Sequence, residues 1–107
     1  MRGDLVTVAG GVYAKRPLPA VIVQDDRFDA TDSLTVCPFT SPEVDAPLLR
    51  VPVTADEENG LDQDSFLMVD KVTTVRRSNA HAVVGRPDAT TLAEFERRLL
   101  VFLGFGA

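Results

Sequence analysis

The stretch Pro19-Ala20-Val21-Ile22-Val23-Gln24 decides the fold class of this chain. It is a short, unbroken apolar run, and such a run is typical of a strand that is buried on both faces. Further short apolar segments, rich in valine, lie before and after it. Pro52 falls inside one of them, which indicates an edge strand or a strand end. The predicted strands cover residues 5–8, 20–24, 34–39, 48–53, 66–75 with a bend at Asp70-Lys71, and 81–85.

Only the C-terminal part of the sequence predicts a long helix. Thr91 and Glu94 have capping-box spacing, with Thr91 as the N-cap residue. An apolar stripe follows at steps of three, four and three residues. Its members are Leu92, Phe95, Leu99 and Phe102. We therefore expect a mainly β (α+β) fold, a small and strongly bent antiparallel barrel with a C-terminal helix from about Thr91 to Phe102.

Length and composition agree with one globular domain over residues 1–107, since 45% of the residues are hydrophobic and 25% are charged. No apolar run approaches the roughly 20 residues that cross a bilayer. The N-terminal residues lack a signal-peptide core, which favours a cytoplasmic protein without membrane association. One cysteine, Cys37, and one histidine, His81, exclude a cysteine- or histidine-rich metal cage. We expect no metal and no cofactor.

The charge balance argues against a general nucleic-acid coat protein, because 11 basic residues stand against 16 acidic ones, a formal net charge of −5. The acidic residues cluster between positions 56 and 64. This run lacks the spacing of a calcium loop and is typical of a solvated loop. The basic residues gather elsewhere, so a folded chain could present a local basic patch.

RNA can be cleaved without a metal ion, because its 2′-hydroxyl supplies the nucleophile. The protein then needs groups that move protons, a cation for the charge on the phosphorane, and donors that hold the phosphate. Many small domains contain such groups: Thr40 could equally be a β-branched strand residue, Arg16 a loop cation and Asp70 a turn former. The candidates in this chain are Lys15, Arg16, Thr40, Ser41, Asp70 and Lys71.

The order of segments along the chain resembles the MazF/PemK (Kid) toxins. Arg2-Gly3-Asp4-Leu5-Val6 is similar to their opening, and residues 19–24 are similar to their second strand, "RPALVVQ". Residues 36–41 resemble the "V-PLTS" strand end, and residues 59–75 resemble "NGL...S.V..D...T". Gly85-Arg86 and the closing helix complete the match, which spans essentially the whole chain.

This resemblance implies an SH3-like barrel with a C-terminal helix, assembled as a homodimer. It also implies the toxin of a type II toxin–antitoxin system, a metal-independent endoribonuclease that cuts single-stranded RNA at short sequences. The products would carry 2′,3′-cyclic phosphate and 5′-hydroxyl ends. The expected partner is a cognate antitoxin, encoded by an adjacent gene, with a segment that folds on the toxin.

The resemblance also carries site residues. In the family, the catalytic arginine precedes the proline of the second strand. The gap-free match places Leu18 at that position, and Arg16 lies two residues earlier. A local bulge or insertion is therefore needed to bring Arg16 to the site. The family's threonine is retained as Thr40. Asp70 aligns with the acidic residue that some members use, whereas Met68 stands at the arginine beside it. We expect Arg16 and Thr40 to be catalytic. The expected RNA-binding residues are Lys15, Ser41, Asp70, Lys71, Arg76 and Arg77.

The C-terminal residues permit a second interpretation. Phe105-Gly106-Ala107 and the residues before them are similar to the ending of the CcdB toxins, which share this fold. Those toxins are not enzymes and trap DNA gyrase through that terminus. The same residues also fit the end of an amphipathic helix packed on the barrel. A catalytically inactive interaction protein is a third alternative.

Overall fold

The computed structural model describes residues 1–9 and 17–105, and these form an antiparallel sheet with one long helix. The bends predicted from the sequence are present, since a 3₁₀ turn at Val69–Lys71 divides the segment 66–75 into two strands. Two further 3₁₀ turns cover Asp26–Phe28 and Arg77–Asn79. The strands are β1 (Leu5–Val8), β2 (Leu18–Ile22), β3 (Ser33–Thr40), β4 (Arg50–Val53), β5 (Ser65–Met68), β6 (Thr73–Arg76) and β7 (Ala80–Gly85), and the helix is α1 (Ala89–Leu103).

The strands follow the order β4-β5-β3-β2-β1-β7, and every pair is antiparallel. The long strand β3 organises this sheet. Its first half pairs with β6 and its last two residues pair with β5, so β5 and β6 lie along the same edge of β3. Within the described residues, the path ends at β4 on one side and β7 on the other. The expected closed barrel is therefore corrected to an open, bent sheet, and the edge position predicted for Pro52 in β4 is confirmed.

The alternation of side chains divides the buried residues into two clusters. Val21 belongs to a cluster with Phe39, Leu67 and Phe95, whereas its neighbour Ala20 packs in a second cluster on the other side of the sheet. The unbroken apolar run of the second strand follows from this arrangement, because successive residues of a strand point to opposite faces. The prediction of a strand buried on both faces is confirmed for Ala20 and Val21.

Helix α1 packs its Phe95 face against the first cluster and contacts β4 and the turn at Val69–Lys71. The expected N-cap at Thr91 is wrong. Asp88 is extended, and its carboxylate accepts a hydrogen bond of 2.7 Å from the Thr91 N–H, so the helix starts earlier. Gly104 ends it in the left-handed conformation. In the described part of the chain, no helix is long and apolar enough to span a membrane.

Candidate active site

Thr40 lies at the end of β3, on the face of the sheet that points away from α1. It pairs with Phe66 of β5, and Phe66 pairs in turn with Pro52 of β4. Directly paired residues of antiparallel strands share one face. The adjacent row, to which Phe39 and Leu67 belong, is buried in the cluster that contains Phe95. Thr40 is therefore presented on the outer face by a rigid strand rather than by a loop.

Leu18 lies beside Thr40 across the β2–β3 pair. Ala20 is paired with Pro38, and the same register carried two residues further brings Leu18 opposite Thr40. Both side chains line one open cavity of about 370 Å³. The position to which the resemblance assigns a catalytic arginine is thus at the candidate site, but it holds an apolar side chain. The polar groups of this cavity, called the Thr40 cavity below, come from Thr40, Ser41, Gln63, Ser65 and Lys71.

Lys71 and Asp70 come to this site on the 3₁₀ turn between β5 and β6. Lys71 lines the Thr40 cavity, and among the described residues that line it, Lys71 alone carries a positive charge. The carboxylate of Asp70 lies between two cations. Its Oδ1 accepts a hydrogen bond of 2.6 Å from Arg50 Nη1, and its Oδ2 is 3.9 Å from Lys71 Nζ. Sequence reasoning placed Asp70 and Lys71 at the site and missed Arg50.

The contact between Arg50 and Asp70 could not be predicted from the sequence, because it depends on the pairing of β4 with β5. Arg50 lies directly opposite Met68 in the β4–β5 pair, so the strand next to Met68 carries the guanidinium that reaches Asp70. The side chain of Arg50 is only 13% exposed, and its buried Nε has no hydrogen-bond partner among residues 1–9 and 17–105. Arg98 of α1 donates a hydrogen bond of 2.8 Å to the Arg50 carbonyl and is itself paired with Glu94 at 2.6 Å. The start of β4 is therefore anchored to the helix.

Two other predicted RNA-binding residues lie far from Thr40. Arg76 pairs with Ser33 at the opposite end of β3, seven residues from Thr40, which is roughly 23 Å at about 3.3 Å per residue. Arg77 follows it and donates a hydrogen bond of 2.7 Å to the Thr31 carbonyl. The structure thus brings Thr40, Ser41 and Lys71 together, with Asp70 behind them, and keeps the arginine pair apart. Lys15 and Arg16 lie outside the described residues.

The remaining candidate groups fall into different environments. Cys37 is fully buried, and this burial raises the pKa of its thiol to about 12, which makes it unsuited to nucleophilic attack. Its Sγ–H donates to the Met68 carbonyl at 3.2 Å. Phe105 is 77% exposed, and Gly106 and Ala107 lie outside the described residues. Residues 1–9 and 17–105 contain no group of three or more histidine, cysteine, aspartate or glutamate side chains that could hold a metal ion.

Comparison with known proteins shows which family has a similar sequence and fold. Residues 1–103 match the PemK-like, MazF-like toxins of type II toxin–antitoxin systems. The probable endoribonuclease MazF of Mycolicibacterium smegmatis is 52% identical over 104 residues, covering 96% of this chain and 95% of that protein. A MazF toxin of Mycobacterium tuberculosis superposes with a TM-score of 0.80 at 18% identity, over 94% of this chain and 96% of the other. A MazE–MazF complex of Deinococcus radiodurans gives 0.76 at 25% identity, over 95% and 93%.

Proposed function

The chain belongs to the PemK-like, MazF-like toxin family of type II toxin–antitoxin systems, and we propose that it is an endoribonuclease that cleaves single-stranded RNA in the cytoplasm and arrests growth. The observation that carries this proposal is the Thr40 cavity in a chain of this family. Its described residues present hydroxyl groups and one ammonium group on the outer face of the sheet. The name of the relative from Mycolicibacterium smegmatis supports the same activity.

The proposed reaction uses the substrate's own nucleophile. The 2′-oxygen loses its proton and bonds to the neighbouring phosphorus, and the bond from phosphorus to the 5′-oxygen breaks. A proton then reaches the departing 5′-oxygen, which leaves a 2′,3′-cyclic phosphate and a 5′-hydroxyl. Extra negative charge develops on the non-bridging oxygens, so donors that are aimed at these atoms lower the barrier. We propose that Thr40 and Ser41 donate hydrogen bonds to them.

Arg16 is the cation that the sequence assigns to this reaction, with Lys15 beside it as an RNA-binding residue. A guanidinium stays charged at every relevant pH and suits a phosphate. Arg16→Ala should therefore lower kcat by about two to three orders of magnitude, the usual effect of losing one such donor. Circular dichroism on the same preparation should give the wild-type spectrum.

The decisive experiment follows RNA ends. Purified protein is incubated with a long single-stranded RNA in the presence of a chelator, and the ends are assayed chemically. Cyclic phosphate and 5′-hydroxyl termini are expected, and Thr40→Val should slow cleavage about 100-fold because it removes the hydroxyl at nearly constant shape. Intact RNA together with trapped gyrase–DNA complexes would instead establish the gyrase alternative. In that case toxicity should depend on residues 105–107 and not on Thr40.

We propose that the protein forms a homodimer and binds an antitoxin encoded by an adjacent gene. The edge strand β7 and the end of α1 support self-association, because they expose Val83, Val84, Phe102 and Leu103. The MazE–MazF complex among the solved structures supports the antitoxin. Light scattering should give roughly twice the monomer mass of 11.6 kDa. A mass near 11.6 kDa at micromolar concentration would contradict the dimer.

A further inference from the structure

We infer that Lys71 is a further catalytic residue of this ribonuclease, whose ammonium stabilises the charge on the phosphorane, and that the Arg50–Asp70 pair positions it. This inference rests on the proposed function, because it names a group for the same site. Leu18 and Met68, which line the Thr40 cavity, stand at the positions to which the resemblance assigns arginines and carry no charge. Lys71 brings a cation into the same cavity from the turn at Val69–Lys71.

The charges around Asp70 favour this role. Arg50 approaches Asp70 more closely than Lys71 does, at 2.6 Å against 3.9 Å, so the guanidinium is the carboxylate's principal partner. The three side chains together carry a net charge of +1. Lys71 is also the most exposed of them, at 38% against 23% for Asp70 and 13% for Arg50. Of the three charged groups, Lys71 is therefore the one that presents its charge to the cavity.

The surroundings of Lys71 strengthen its effect on a bound phosphate. The backbone of the turn is anchored, since the Val69 N–H donates a hydrogen bond of 2.9 Å to the Leu49 carbonyl. Leu18 and Met68 supply apolar surface to the same cavity. A fixed cation beside apolar walls acts on developing charge more strongly than one in bulk water.

The Arg50–Asp70 pair is a positioning device. Arg50 Nη1 also donates to its neighbouring carbonyl, that of Leu49, at 2.9 Å, so the guanidinium is fixed to β4 and holds Asp70 behind the turn. Without Arg50, the carboxylate would have Lys71 as its nearest cation. The ammonium would then be drawn towards Asp70 and away from the phosphate. Loss of the carboxylate as well would remove that attraction.

The test of Lys71 uses single turnovers on a short single-stranded RNA that the wild-type protein cleaves. Lys71→Met should lower the cleavage rate at least about 100-fold. It should change the Kd of the same RNA with a 2′-deoxy sugar at the cleavage site by less than about threefold. Lys71→Arg should stay within about tenfold of wild type. Arg27→Met, which removes an exposed cation from outside the cavity, is the matched control and should cleave normally.

If Lys71→Met folds poorly by circular dichroism, Lys71→Gln replaces it in every comparison, because it also removes the charge and keeps a polar end. A second variant tests the same role by rescue. Leu18→Arg in the Lys71→Met background places a new cation opposite Thr40 and should recover at least about tenfold of the lost rate. A wild-type rate for Lys71→Met overturns the inference, as does a double variant no faster than Lys71→Met. Absence of cleavage by the wild-type protein would instead refute the proposed function itself.

The positioning role is tested by a double-mutant cycle. Arg50→Gln should lower the cleavage rate about tenfold with little change in the Kd of the 2′-deoxy RNA. Asp70→Asn added to it should restore part of that loss, because the Asp70 carboxylate then no longer attracts the ammonium. A purely structural pair predicts that the cleavage rate follows the midpoint of thermal unfolding through the cycle, because the neutral amide of Asp70→Asn no longer leaves a charge unpaired. That result, or a double variant no faster than Arg50→Gln, would overturn the positioning role.

Discussion

Replacement of Asn59 by alanine should destabilise the protein strongly, although the residue lies inside the acidic run. Asn59 is only 2% exposed. Its Oδ1 accepts hydrogen bonds from the Asp56 N–H at 3.2 Å and the Leu61 N–H at 3.0 Å, and its Nδ2 donates to the Thr54 carbonyl at 2.8 Å. One amide side chain therefore holds three backbone groups that alanine would leave without a partner.

The size of the effect follows from these three hydrogen bonds. Each contributes about 1 kcal/mol net, so Asn59→Ala should lower the free energy of unfolding by about 2–4 kcal/mol. That is a large part of the roughly 5–15 kcal/mol by which a domain is stable. For a chain of this size the midpoint of thermal unfolding should fall by roughly 10–20 °C.

Thermal unfolding followed by circular dichroism at pH 7 measures this loss, with urea titration as a second measure. Glu57→Ala is the control, because Glu57 is exposed and lies in the same segment, so its midpoint should move by no more than a few degrees. Equal midpoints for Asn59→Ala and Glu57→Ala would refute the reasoning. The segment would then be a solvated loop without internal structure.

Three further outcomes follow from local geometry. Gly85→Ala should lower the urea midpoint, because its Cβ would lie 2.4 Å from backbone atoms of Asn59; an unchanged midpoint would contradict that packing. Hydrogen bonds from Arg97 and Arg98 lower the pKa of Glu94 to about 2 from 4.5, so its contribution to stability is full above pH 4.5 and disappears as the pH falls towards 2. Glu94→Gln should flatten stability against pH in that range, and an unaltered pH dependence would argue against the ion pair. The Cys37 thiol should resist a thiol reagent at pH 8 in the native protein and react in denaturant, whereas rapid native labelling would contradict its burial.

Most strands could be predicted from the sequence because they are local apolar runs. Their partners could not, because register depends on contacts between distant residues. Arg50 illustrates this limit: alternation within residues 48–53 places it on the face opposite Leu49, Val51 and Val53, but only the pairing with Met68 brings it to Asp70. The incorrect prediction of a barrel has the same cause. Whether a sheet closes depends on contacts between the strands at its two ends, and these strands are distant in the sequence.

The helix start shows a second limit, that of competing local signals. Thr91 with Glu94 satisfies the capping-box pattern, and Asp88 with the Thr91 N–H satisfies the simpler N-cap pattern three residues earlier. Sequence alone does not rank the two. In the structure Asp88 is extended after the buried Pro87, and its carboxylate reaches the amide, so the helix gains almost one turn.

The two apolar positions at the Thr40 cavity, Leu18 and Met68, have a common consequence. The family resemblance assigns an arginine to each of these two positions. In the structure, the nearby cations come from other segments: Lys71 from the 3₁₀ turn and Arg50 from the neighbouring strand β4. The net charge of −5 does not oppose this arrangement, because charges further away than about 8–10 Å are largely screened at physiological salt. A phosphate at Thr40 therefore responds mainly to the cations within that distance. For this reason the rate loss in Lys71→Met should change little with added salt, whereas the binding of RNA to the whole surface should weaken steeply.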